Sequence, residues 1–200
     1  MKILSNTTSP FARVARIALI EKGLPAEGLR MMNPWTEDAD MARLSPASRV
    51  PTLELPSGLP LTESLLILLW LEKTRPEPSL LGSTADIERI MSKAGLAMGV
   101  IEAMANLVTG RMQIDPAFEG GKVGRKRVGT VVEGFRRLEA DPPAYVGGVP
   151  DLSVLTAVVA VDYRALRFPD HPWVEPIPKL EALRDAVSGR PAYADTKPYL

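Results

Sequence analysis

Residues 5–25 read SNTTSPFARVARIALIEKGLP, and the reading of the first half grows from this stretch. Hydroxyl side chains at Thr7, Thr8 and Ser9 precede Pro10, an apolar-rich run continues to Lys22, and Gly23-Leu24-Pro25 closes it. Ser9 suits the N-cap position, because its oxygen can accept one of the unpaired N–H groups of a first helical turn. Proline suits the next position, where its missing N–H costs nothing. A glycine just past the end, with a proline beyond it, marks the stop. The stretch predicts a helix over 10–22, and the β-prone residues 2–5 before it complete a βα unit. A serine that accepts from the backbone still has its own proton to donate, and a helix N-terminus favours an anion beside it. Ser9 is therefore open to two roles, a cap alone or a cap that also does chemistry.

Outward from there, GLRMMNPW (28–35) offers a second strand and EDADMARLS (37–45) a short helix ending before Pro46. VPTLELPSGLPLT (50–62) gives two runs around Pro56-Ser57-Gly58, the pattern of a hairpin. ESLLILLWLEK (63–73) is apolar almost all round, which predicts a helix buried on most sides. Prolines and a glycine then gather in TRPEPSLLGSTADIE (74–88), placing a domain boundary near 75–82. Ser83 and Asp86 have nearly the spacing of a capping box before the next helix. Helical segments follow at about 84–111, 123–138, 152–167 and 177–187, with no second sheet. The organisation is a βαβαββα first domain over 1–76 and an all-helical second domain over 84–200.

Composition narrows the function classes. The chain has 200 residues, 46% of them hydrophobic, enough for a real core. Its 24 basic residues balance 24 acidic ones, so no long-range field draws it to nucleic acid or an anionic membrane. With no cysteine there is no disulfide framework, no thiolate metal site and no redox chemistry by its own thiols. MKILSNTT (1–8) is too short and too polar for a signal h-region, and no apolar run reaches the roughly 18 residues of a membrane span. A cytoplasmic protein is expected.

Two further stretches carry residues suited to binding. Arg49 and Val50 precede Pro51 at the head of a strand, where proline fits a first or edge position. Thr62, Glu63 and Ser64 stand at a strand-to-helix turn, whose free N–H groups and Ser64 hydroxyl either cap the helix or hold a carboxylate. Together with Ser9-Pro10, these segments resemble the glutathione transferase family in order and spacing, over nearly the whole chain. The segment SPFARVARIAL (9–19) is similar to the zeta-type serine segment and to the omega-type Cys-Pro-Phe segment of that family.

The resemblance implies a thioredoxin-like first domain followed by an all-α domain. It implies that Ser9 activates the thiol of glutathione, that the Val50–Pro51 bond is cis, and that Glu63 and Ser64 take the γ-glutamyl end. Val50 would offer backbone groups to the cysteinyl part, and Arg49 would pair with the glycyl carboxylate or remain a solvated surface residue. An apolar electrophile would sit near Phe11 and a stripe of Met98, Glu102 and Asn106, a spacing equally consistent with plain packing. A homodimer, a detoxifying role and no metal follow from the same likeness. The tyrosine activators of the family have no counterpart, since the tyrosines are Tyr145, Tyr163, Tyr193 and Tyr199. Its frequent Ser/Thr-x-x-Asp cap in the sixth helix is matched by Ser153 with Thr156 in the acidic place. Trp35 either overhangs the pocket or seals a loop, KVGRKR (122–127) is expected as a solvated helix face, and His171 as a loop residue without metal partners. The alternatives to conjugation are a zeta-like isomerase, with Arg13 and Arg16 the arginines near Ser9, and a non-catalytic interaction module.

Overall fold

Strand β1 (Lys2–Ser5) buries Ile3, Leu4 and Ser5 at the centre of a four-stranded sheet. The sheet comes from a computed structural model that describes residues 1–24 and 28–200. Strand β2 (Leu29–Met31) lies parallel on one side of β1; β3 (Thr52–Glu54) lies antiparallel on the other and pairs in turn with β4 (Pro60–Thr62). The order is β2-β1-β3-β4. Helices α1 (Pro10–Glu21), α2 (Ala39–Leu44) and α3 (Ser64–Thr74) complete the βαβαββα order of a thioredoxin-like domain.

The ends of α1 follow the local chemistry. Ser9 Oγ accepts the Ala12 N–H at 3.2 Å. At the other end Gly23 takes φ +68°, with its N–H on Ile20 O and the Leu24 N–H on Leu19 O, both at 2.9 Å. This is a Schellman closure, for which glycine suits the left-handed position. The stop expected at Pro25 lies outside the described residues.

Helix α3 corrects one expectation. Ile67, Leu68 and Leu71 are buried, but Leu65, Leu66 and Leu69 are 40%, 50% and 51% exposed. An apolar sequence on all sides says nothing about which side a neighbour covers, and α1 packs against α3 along one face. Past α3, the fully buried Lys22 ammonium lies 2.5 Å from Glu72 and also donates to the carbonyls of Arg75 at 2.8 Å and Pro76 at 3.2 Å. Glu72 in turn accepts the Leu80 N–H at 3.0 Å and the Ser79 hydroxyl at 3.2 Å. The proline-rich segment is thus pinned to the end of α1.

Residues Met1–Leu80 and Gly189–Leu200 form one compact unit, and Leu81–Ser188 another. The segment 189–200, including α8 (Pro191–Ala194), belongs with the sheet rather than with the helices that precede it in the chain. In the second unit α4 (Ile87–Gln113), α5 (Lys122–Ala140) and α7 (Pro178–Ser188) accompany α6 (Leu152–Arg167), whose residues 152–161 are all buried. A Cβ at Gly134 of α5 would stand 2.2 Å from Val100 Cγ2 of α4, so the close approach of these helices requires glycine there. Helix α4 starts at Ile87 and not near Thr84. Asp86, not Ser83, is the N-cap and makes no side-chain cap bond; its carboxylate instead accepts the Ser83 hydroxyl at 2.7 Å, so no capping box forms. The cap of α6 is Asp151, not Ser153: its Oδ1 accepts the N–H groups of Ser153 at 2.9 Å and Val154 at 3.1 Å. Thr156 Oγ1 donates to Leu152 O at 2.8 Å, inside its own helix.

A testable consequence concerns Lys22. Lys22→Met leaves the Glu72 carboxylate buried beside no cation, which is expected to cost about 3–5 kcal/mol in urea unfolding. Lys22→Met combined with Glu72→Gln should recover most of that loss. A single-variant cost below about 1 kcal/mol would show that the pair acts like a solvated one.

Candidate active site

One row of residues organises the site. Leu4 pairs with Thr52 and Thr52 with Thr62, so the row crosses three strands. The chain leaves β1 just beyond Leu4, enters β3 through Val50–Pro51, and leaves β4 through Glu63–Ser64. All three connections emerge at one edge of the sheet. At about 4.8 Å between strands, the row spans about 10 Å, the length of roughly three extended residues.

Both α1 and α3 begin at this edge, and each presents the unpaired N–H groups of a first turn. Ser9 is half-buried at the α1 end. Its own N–H donates to Asn6 Oδ1 at 2.6 Å and its carbonyl accepts from Arg13 N at 3.0 Å, so the residue is held from both sides of the loop. Asn6 escaped the sequence reading, although an asparagine three residues before a helix cap is a recognisable turn former. The Ser9 hydroxyl accepts from Ala12, which leaves its proton to donate outward.

The Val50–Pro51 peptide is cis. Val50 is buried and precedes the first ladder pair at Thr52, so its N–H and C=O lie outside the pairing of the sheet. The segment before it is fastened by Thr52 Oγ1, which donates to Arg49 O at 2.8 Å, and by Arg49 N, which donates to Ser45 Oγ at 3.3 Å. Glu63 occupies the N-cap of α3 with φ 67° and no side-chain cap bond, a left-handed conformation that costs a side-chain-bearing residue about 1–2 kcal/mol. Buried Ser64 follows as the first residue of α3. Arg49 Nη1 and Glu63 Oε1 stand 3.4 Å apart with side chains 71% and 58% exposed. A pair so open to water holds little energy of its own and leaves one cation and one anion at the edge.

Charges around α2 set the approach to Val50. Hydrogen bonds from Arg30 and the Met41 N–H hold Asp38 below the usual carboxylate range, Lys2 does the same for Asp40, and Arg43 for Glu54. These groups tie α2 to β1, β2 and β3, and α2 runs directly into the Ser45–Val50 segment.

The other expected residues lie elsewhere. Phe11 is half-buried as the second residue of α1. Met98, Glu102 and Asn106 share one face of α4 in the second unit, half-buried, exposed and half-buried in turn, with the Asn106 amide donating to Glu102 O at 2.9 Å. Trp35 is 63% exposed, so it does not seal its loop; with Met41 and Ser48 it lines an open groove of about 570 Å³. Lys122, Arg125 and Lys126 are exposed at the start of α5. His171 is a loop residue whose Nε2 lies 2.8 Å from Glu119 Oε2. Among the described residues no cluster of His, Asp and Glu could hold a metal ion, and no helix is long and apolar enough to cross a membrane.

Comparison with known proteins agrees with this geometry. The glutathione S-transferase N-terminal domain family matches residues 8–74. A glutathione S-transferase of Methylobacterium radiotolerans, solved in complex with glutathione sulfonate, is 32% identical; the match covers 100% of this chain and 95% of that one, with a TM-score of 0.88. The chain belongs to the glutathione S-transferase family. The GST-like protein YibF of Escherichia coli K12, itself uncharacterised, is 26% identical over 203 residues, 99% of this chain and 98% of its own. A bacterial zeta-class maleyl pyruvate isomerase is 25% identical, with 99% of this chain and 97% of that one covered and a TM-score of 0.79.

Two outcomes test the site's physics. Glu63→Gly removes the left-handed strain without removing a cap bond, and should raise the melting temperature by about 2–4 °C, the equivalent of about 1 kcal/mol in a chain of this size. Unchanged or lower stability would contradict the strain. The depressed Asp38, Asp40 and Glu54 contribute stability that is full above the ordinary carboxylate range and lost as pH falls below it. Acid unfolding of Asp38→Asn should therefore depend less steeply on pH than that of the unaltered chain. An identical slope would show that Arg30 and Asp38 are not coupled to folding.

Proposed function

We propose that this member of the family is a serine-type glutathione transferase. Residues 1–76 bind glutathione, Ser9 stabilises its thiolate, and the sulfur is directed at a small apolar electrophile. The observation that carries the reading is the Ser9 hydroxyl at the α1 N-terminus, accepting from Ala12 and free to donate outward. A thiol of pKa about 8.5 is only about 3% ionised at pH 7. Lowering it by two units requires about 2.7 kcal/mol of preference for the thiolate. One charge-assisted hydrogen bond supplies about 1.5–3 kcal/mol, and the helix end adds up to about 1 more. The magnitudes suffice without any group from elsewhere in the chain.

The remaining groups of glutathione find counterparts along the row. Its γ-glutamyl carboxylate is assigned to Ser64 and the α3 N-terminus, its ammonium to Glu63, its cysteinyl backbone to Val50, and its glycyl carboxylate to Arg49. Binding would exchange the weak Arg49–Glu63 pair for one partner apiece on the ligand. The thiolate then forms a C–S bond with the electrophilic carbon, whose leaving group departs with the electron pair, or whose double bond takes up a proton from water. Phe11, two residues after Ser9 in the same unit, is the residue proposed to meet the electrophile. The exposed Leu65, Leu66 and Leu69 of α3 support a homodimer, because an apolar stripe of this kind is normally covered.

An isomerase acting on an unsaturated diacid would use the same thiolate but would want cations in the pocket. Arg13 is buried and donates to Tyr193 O and Thr196 Oγ1, and Arg16 donates to Asp195 O. Neither arginine supports that reading, which favours conjugation.

The decisive experiment separates a cap from an activator. In Ser9→Ala the thiolate absorbance of bound glutathione should titrate about one to two units higher, with turnover near neutral pH reduced to match. Stability should fall by about 1 kcal/mol. A stability loss with an unshifted titration and full turnover would leave Ser9 a cap only. Ser64→Ala should weaken the glutathione-induced rise in melting temperature, and no rise in the unaltered protein at millimolar glutathione would overturn the binding reading.

A further inference from the structure

Residues 190–200 run along α1, inside the same compact unit, and touch it at every level. At the last turn Arg190 Nε and Nη2 donate to the two carboxylate oxygens of Glu21 at 2.9 and 2.7 Å, a two-pronged pair on a carboxylate 7% exposed. In the middle, Arg16 Nη2 donates to Asp195 O at 3.1 Å. One turn nearer the site, Arg13 donates from Nε to Thr196 Oγ1 at 3.4 Å and from Nη2 to Tyr193 O at 3.5 Å. Beyond the start of the helix the Tyr199 N–H donates to Thr7 O at 3.4 Å. The contacts follow the helix in order, from its far end to the loop that delivers Ser9.

The chemistry explains why the segment stays there. Arg13 is only 4% exposed, and a guanidinium taken out of water must find acceptors. Here backbone and hydroxyl oxygens of residues 193–196 supply them. Thr196 Oγ1 in turn donates a hydrogen bond to Ala192 O at 2.6 Å, so the acceptor is itself fixed. The last contact bears on the site most directly. Thr7 lies between Asn6, whose Oδ1 accepts the Ser9 N–H, and Ser9 itself. A bond to the Thr7 carbonyl holds the Thr7–Thr8 peptide plane, one residue before Ser9, and small displacements of a reacting group are costly to catalysis.

We propose that residues 190–200 are a strap that positions Ser9, with Tyr199 as its contact at the site through the backbone N–H. The inference deepens the reading of Ser9 above and rests on it for its catalytic consequence. Tyr199 is a positioning residue: it acts on the thiolate through Thr7 and Ser9, and its ring, part of a residue 61% exposed, takes no part in the bond.

Two variants of one residue test this. Tyr199→Pro removes the N–H donor, while Tyr199→Ala keeps it and removes the ring. In Tyr199→Pro, hydrogen exchange of the Ser9 and Ala12 amides should quicken about tenfold or more, reporting local opening of the loop and first turn. The thiol pKa of bound glutathione should rise by about one unit, and kcat at pH 7 should fall about threefold, the corresponding drop in thiolate fraction. Tyr199→Ala should stay within about twofold of the unaltered protein in all three readouts. In a Ser9→Ala background Tyr199→Pro should add no further shift, because its effect passes through Ser9. Unchanged exchange in Tyr199→Pro, or equal losses in Tyr199→Pro and Tyr199→Ala, would overturn the strap. An unaltered protein that holds no glutathione thiolate would overturn the Ser9 reading instead, and the exchange comparison would still decide the strap.

Discussion

Two helices that start at the same edge of a four-stranded sheet must each deal with N–H groups that have no partner within the helix. The pairing of Leu4 with Thr52 and of Thr52 with Thr62 puts those two helix ends side by side, and the rest of the first unit serves that placement. The α1 end is satisfied in part by Ser9, which has a proton left over. The α3 end has no side-chain cap at all: Glu63 takes a left-handed φ and its side chain is 58% exposed. An edge with surplus donors, one surplus carboxylate and an exposed arginine suits a ligand that carries both charges. A folded protein left to maximise stability would have placed glycine at 63, where it adopts this φ without strain.

Keeping that edge in register takes support from distant parts of the chain. Lys22 and Glu72 fix the far end of α1 to the segment after α3, through a buried pair and four further hydrogen bonds. The salt-bridged carboxylates of α2 hold the approach to Val50, and the final residues return to brace α1 along its length. The pairs of α2 are more open to water, whereas the Lys22, Glu21 and Arg13 contacts are shielded from it. In such places geometry is enforced by the cost of leaving a charge unpaired more than by the bond itself.

Much of this was legible in the order of residues where the cause is local. Ser9-Pro10 and Gly23 mark α1 because caps and left-handed stops act within a few residues. The hairpin around Pro56-Ser57-Gly58 and the span of α6 over 152–167 were readable for the same reason. What failed depends on neighbours. The exposed leucines of α3 look like buried ones until its covered face is known. Asp151 displaced Ser153 as the cap of α6 because a carboxylate two residues earlier accepts two N–H groups at once. The pairing of Arg13 with Thr196 has no periodic trace, as nearly the whole chain separates them. At the site, the placement of Ser9, Val50, Glu63 and Ser64 at one edge follows from strand register, whereas the surroundings of an electrophile have no such local signature.

The central claim is that this edge prefers glutathione as a thiolate, and proton release on binding reads it most directly. Titration calorimetry at pH 7, in buffers of different ionisation enthalpy, counts the protons released per glutathione bound. If the bound thiol has a pKa two units below its free value, about 0.7 proton should be released with glutathione. With S-methylglutathione, which has no thiol proton, none should be. Equal proton counts for the two ligands would contradict the account.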